Sequence, residues 1–77
     1  MFVKVDPSRR WSGARLREAR VAAGMTPTEL AAAAGASDVS VWRWETNRIA
    51  PNIGHVIRIL DRLGVDLDAL TEPADLP

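Results

Sequence analysis

The stretch "TPTELAAAAGASDVSVWRWE" constrains this 77-residue chain more than any other. Thr26 and Glu29 have the spacing of a capping box, with Pro27 at the first helical position, where its missing N–H costs nothing. Leu30, Ala33 and Ala34 then face inward, and Gly35 can take the left-handed conformation that ends a helix. Only Gly35 and Ala36 separate this helix from the next cap, Ser37. Two short helices joined by so tight a turn, with small residues where they touch, must cross steeply. That is helix-turn-helix geometry.

The second of the two runs from about Asp38 to Thr46. At 100° per residue, Val41, Trp44 and Glu45 share one side, with Ser40 at its margin. That side is the expected core. Asp38, Val39, Trp42 and Arg43 share the other, which faces solvent or a ligand, and Asn47 supplies a left-handed turn after the helix.

The flanking segments read as helices too. Ser12 caps a helix that extends to Ala23 and stops at Gly24, with Leu16, Ala19 and Ala23 on one face. Asn52 caps "IGHVIRILDRL", with Val56, Ile59, Leu60 and Leu63 inward, His55 on the exposed side and Gly64 as the stop. Asp66 caps a last turn, "LDAL", ended by Pro73. At the other end "MFVKV" is β-prone, but a lone strand of that length needs a partner. It reads as a frayed arm or as a strand paired across a dimer. The expected architecture is therefore all-α: a compact bundle of about five short helices with no internal strand. Residues 1–11 form a short extended arm, 12–71 the helix-turn-helix domain, and 72–77 a tail.

A chain of this length holds one core. It has no cysteine, so disulfides and thiolate zinc sites are excluded, and His55 alone cannot hold a metal. No run of 18 apolar residues and no signal-peptide core is present, so the expectation is a cytoplasmic protein without a membrane partner. The net charge is zero, which is unusual for a DNA-binding domain, but its distribution is uneven. All ten Lys and Arg residues lie between Lys4 and Arg62 against six acids, whereas the last fifteen residues hold four acids and no base. A basic body with an acidic tail can still present a positive face.

The segments "LREAR", "AAGMT", "ELAAAAGAS", "VWRWE", "IAP" and "LGVDLDAL", in this order, closely resemble the lambda-repressor/Cro-like helix-turn-helix family, also called the XRE family. The resemblance covers roughly Gly13 to Leu70. It implies a lambda-repressor-like fold and a sequence-specific regulator of transcription in a bacterial or phage-infected cell, nucleoid-associated, with double-stranded DNA as partner. It places the third helix in the major groove, with Asp38, Val39 and Arg43 facing bases and Ser40 and Trp42 beside them. It makes Arg20 and Glu45 a buried pair tying the first helix to the third, and puts Thr46 and Arg48 in a loop that touches backbone phosphate. One module reads few base pairs, so a homodimer on a two-fold operator is expected, one that DNA itself can hold together. The surfaces left for pairing are "MFVKV" and the region from Ile53 to Leu70. By analogy of size, with no ligand-binding domain in view, control by concentration is expected rather than by an inducer.

Two residues depart from the family. Glutamine is usual where this chain has Pro27, so a phosphate contact at the start of the second helix is weakened or moved. Asp38 opens the reading helix with a negative charge. An acid can accept a hydrogen bond from cytosine N4, and in the first turn it also stabilises the helix; both readings stay open.

Each candidate has a plain alternative. Arg43 suits bidentate bonding to guanine, against a merely solvated arginine. Val39 suits a thymine methyl, but one exposed valine needs no explanation. Trp42 suits sugar and thymine methyl, or anchors a protein interface. The expected backbone contacts are Thr26, Thr28, Ser37, Ser40, Thr46, Asn47, Arg48, Arg9 and Arg10, with Arg15 and Arg17 available. Neutralising about four to six phosphates gives a slope of log K against log salt near −4 to −5. No nucleophile–base pair, Gly-rich phosphate loop or metal-ligand cluster appears, so no enzyme, cofactor or small-molecule ligand is expected. The rival is a protein-interaction module on the same fold, such as an anti-repressor, antitoxin component or adaptor. It rests on neutral charge, Pro27, Asp38 and Trp42.

Overall fold

A computed structural model describes residues 8–74. Along the chain lie strand β1 (Arg9–Trp11), helices α1 (Gly13–Ala22), α2 (Pro27–Ala34), α3 (Asp38–Glu45) and α4 (Ile53–Leu63), a 3-10 turn (Leu67–Leu70) and strand β2 (Thr71–Pro73). The "MFVKV" segment lies outside the described residues.

Each helix starts where a side chain can satisfy its free N–H groups. Ser12 accepts from the Arg15 N–H, Ser37 from Ser40 and Asn52 from His55. At α2 the box is reciprocal. The Thr26 hydroxyl accepts the Glu29 N–H at 3.1 Å, and the Glu29 carboxylate accepts the Thr26 N–H at 3.0 Å. The Thr26 N–H bonded to the carboxylate, and after it the Thr26 side chain beside that group, hold the Glu29 pKa below the ordinary carboxylate value, with a smaller contribution from Arg62. Gly35, with φ +71°, ends α2, and a Cβ there would also collide with the Arg58 guanidinium packed over it.

Leu16, Leu30, Val41, Ile59 and Leu70 are fully buried, with Trp44 and Met25 nearly so. α2 packs against both α3 and α4, and its alanines permit the close approach of two neighbours at once. Contact on two sides moves its buried stripe to Leu30, Ala31 and Ala34, leaving Ala33, expected inward, only partly covered. Ala23 is exposed because it caps α1 rather than continuing it.

Three further expectations change. The fifth helix is one 3-10 turn, and Asp66 makes no side-chain cap there. An antiparallel pair joins the chain ends, with Arg9 opposite Pro73, Arg10 opposite Glu72 and Trp11 opposite Thr71. Three residues expected in the arm are thus a strand whose partner comes from this chain, because the 3-10 turn delivers Thr71 alongside Trp11. His55, expected on the exposed side, is half-buried, its ring 5.1 Å from that of Trp44. His55 lies in the first turn of α4, which brings its ring against the buried Trp44 indole.

Candidate nucleic-acid interface

Helix α3 divides as its sequence dictates: Val41 and Trp44 are buried, while Asp38, Val39, Trp42 and Arg43 are exposed. What fixes this face is the far end of the helix. The Trp11 indole N–H donates to the Trp44 carbonyl at 2.9 Å, and the Gly13 N–H donates to Asn47 Oδ1 at 2.7 Å. A Cβ on Gly13 would overlap the carbonyl oxygens of Trp44 and Glu45, so only glycine allows α1 to begin there. Arg20 Nε lies 2.7 Å from Glu45 Oε2, and its Nη2 lies 3.2 Å from Oε1. Its remaining nitrogen, Nη1, donates to the Met25 carbonyl at 2.8 Å. Hydrogen bonding to Glu45 raises the Arg20 pKa, more than burial lowers it. The pair is nearly dry, with side-chain exposures of 10% and 9%.

The exposed face has its own order. Asp38 Oδ2 accepts the Thr28 hydroxyl at 2.8 Å, so the first residue of α3 is tied to the first turn of α2. Its second oxygen is left to accept from elsewhere. The Ser37 and Ser40 hydroxyls share a 3.1 Å bond beside it. The Arg43 guanidinium is exposed and has no hydrogen-bond or ion-pair partner among the described residues. Thr46 donates its hydroxyl back to the Trp42 carbonyl at 2.7 Å. Asn47 takes φ +59°, and the Arg48 guanidinium carbon then sits 4.8 Å from the centre of the Trp42 ring. Thr26 serves the cap of α2, and Asn47 has committed its side-chain oxygen to Gly13.

The structure brings Thr28, Asp38, Val39, Trp42, Arg43 and Arg48 onto connected surface. It engages Arg9, Arg10 and Arg15 elsewhere. Arg9 donates to the Thr71 hydroxyl and carbonyl at 2.9 Å each, Arg15 donates to that carbonyl at 2.7 Å, and Arg10 meets Glu72 at 3.1 Å. These arginines knit the C-terminal strand to the body, and the acidic tail neutralises part of their charge.

Sequence reasoning missed the positioning residues Trp11 and Gly13. A signal for Gly13 was present, since a glycine directly after a helix cap is unfavourable unless another backbone comes close. Trp11 had none, because its partner is a main-chain oxygen 33 residues away. Among the described residues no His, Cys, Asp or Glu cluster could hold a metal, and no helix is long and apolar enough to cross a membrane.

Residues 12–73 match the model of a family described as a helix-turn-helix domain. The P22 c2 repressor, solved in complex with synthetic operator 9T, shares the fold at a TM-score of 0.73 and 24% identity, over 79% of this chain and 92% of its own. The restriction-modification controller protein C.AhdI from Aeromonas hydrophila superposes at 0.69 with 26% identity, over 75% and 88%. Hydroxypropylphosphonic acid epoxidase from S. wedmorenis superposes at 0.72 with 29% identity, over 84% of this chain but only 36% of that one. No curated protein matches the chain.

Proposed function

The chain belongs to this helix-turn-helix family, in its lambda-repressor-like form, and we propose that it is a sequence-specific double-stranded-DNA-binding regulator of transcription. In this reading α3 enters the major groove and two copies bind a two-fold operator with half-sites about 34 Å apart. One observation carries it. Arg43 is an exposed guanidinium, without a partner among the described residues, in the last turn of a helix whose C-terminal end is fixed by four side-chain and backbone bonds. A rigid helix presenting a free planar donor fork is what bidentate recognition of guanine O6 and N7 requires.

Around Arg43 the remaining roles follow from chemistry. Asp38, held on one oxygen by Thr28, offers the other to cytosine N4. Val39 offers methyl groups to thymine, with Trp42 bordering the set, and Thr46, Ser37, Ser40 and Arg48 lie where backbone contacts are expected. Ile49 and Ile53, 55% and 56% exposed, lie between α3 and α4 and at the start of α4, and give two-fold pairing an apolar surface. The operator-bound P22 repressor supports the architecture, and the A. hydrophila controller supports a regulatory role. The epoxidase, of which the shared fold covers only 36%, shows that the same fold also occurs as a minor part of an enzyme.

Arg43→Ala tests the reading. On a duplex selected by the wild-type protein, it should relax preference at one base pair per half-site by about 1–3 kcal/mol and leave the other positions unchanged. The rival, a protein-interaction module, draws on exposed Trp42. It requires that Arg43→Ala change nothing while Trp42→Ala abolishes capture of a protein partner.

A further inference from the structure

Trp42 is the feature that base reading does not absorb. Its side chain is large and apolar, yet the residue is 52% exposed on the reading helix. The structure supplies an occupant for its ring from within the chain. Asn47 adopts the left-handed conformation and is held there by the Gly13 N–H. The chain then doubles back, so that the Arg48 N–H donates to the Arg43 carbonyl at 2.9 Å. This return brings the Arg48 guanidinium over the Trp42 ring, 4.8 Å from its centre and within the range of a cation–π contact.

We propose that Trp42 is a positioning residue for Arg48, holding its guanidinium at the edge of the reading surface for a backbone phosphate. The proposal rests on the DNA-binding reading above. A carboxylate would fix an arginine as well, but would occupy its N–H groups and cancel its charge. A ring does neither: it restrains the long side chain, whose rotamer freedom is worth about 2 kcal/mol. All five N–H donors remain for phosphate oxygens, and none has a partner among the described residues. The exposed tryptophan therefore marks no separate protein interface. Its contribution to DNA binding is carried through Arg48, not through contact with a base.

A double-mutant cycle on one selected operator duplex tests this, using Trp42→Ala, Trp42→Phe, Arg48→Ala and the double variant Trp42→Ala/Arg48→Ala. Trp42→Ala should weaken binding about 2–5-fold, the value of an exposed cation–π contact, with the base preference unchanged and the urea midpoint kept. Trp42→Phe should retain most of the affinity. Arg48→Ala should lose more, and the double variant should bind like Arg48→Ala alone. Replacing phosphates one at a time by neutral methylphosphonate should reveal one position that matters to the wild type and no longer to Arg48→Ala. Losses that add in the double variant, or a changed base preference in Trp42→Ala, would overturn the proposal and make Trp42 a direct DNA contact. If the wild type selects no operator at all, the regulatory reading fails first and this inference falls with it.

Discussion

Glu45→Ala removes half of the link between the reading helix and α1. The carboxylate takes two hydrogen bonds from Arg20, at 2.7 and 3.2 Å, in a site where both side chains are about nine-tenths covered. After the substitution Arg20 keeps only its bond to the Met25 carbonyl and remains a buried cation without a counter-charge. Breaking such a pair costs about 3–5 kcal/mol. A 77-residue domain has a total stability of roughly 4–12 kcal/mol at 0.05–0.15 kcal/mol per residue. The single variant should therefore sit at or near the folding threshold. Urea titration followed by tryptophan fluorescence measures this, since Trp44 is buried in the core. With a slope of about 1 kcal/mol/M for so small a protein, the midpoint should fall by roughly 3–5 M, or the variant should be unfolded in water. Adding Arg20→Met removes the orphaned cation and should recover most of the loss, leaving about 1–3 kcal/mol for the unpaired Met25 carbonyl. A single-variant cost below about 1 kcal/mol would refute the reasoning, because that is the behaviour of a solvated surface pair.

Gly13→Ala should destabilise by about 1–3 kcal/mol through overlap with the Trp44 and Glu45 carbonyls, although alanine is intrinsically the better helix former; a raised melting temperature would refute the close approach. Thr28→Val should lower the preference for cytosine at the base pair facing Asp38 by about fivefold, the worth of about 1 kcal/mol of hydrogen bonding, as read in a competition assay against the other three base pairs. Glu29 has a depressed folded-state pKa, so its stabilising effect is complete above the ordinary carboxylate value of 4.5 and is lost as pH falls through the lower folded value. The urea midpoints of wild type and Glu29→Gln should therefore differ at pH 7 and converge as the pH is lowered through that folded value, and a constant difference would contradict the capping-box assignment.

The helix-turn-helix was legible because its signals are local. Thr26 with Glu29, Pro27, Gly35 and Ser37 act within a few residues, and each has the bonds or backbone conformation that its chemistry demands. The two faces of α3 were legible for the same reason, since one turn of helix decides which residues share a side. What was not legible depends on residues far apart in sequence. The β1–β2 pairing needs Trp11 to meet Thr71, and two segments of three residues carry no strand pattern of their own. The tie between Thr28 and Asp38 joins two candidates that sequence reading placed separately, one as a phosphate donor and one as a base reader. Likewise Arg9 and Arg10 look like free cations in the sequence, and only the fold returns the acidic tail to them. His55 was misplaced because a helical wheel does not show that a neighbouring indole needs covering.

The central claim is that α3 reads duplex DNA. Selection from a randomised duplex library, followed by salt titration of the enriched sequences, tests it most directly. The account predicts a two-fold symmetric sequence with guanine and cytosine in each half-site, bound with log K falling against log salt at a slope near −4 to −5 for about four to six neutralised phosphates. Enrichment of no sequence, even at low salt, would contradict it.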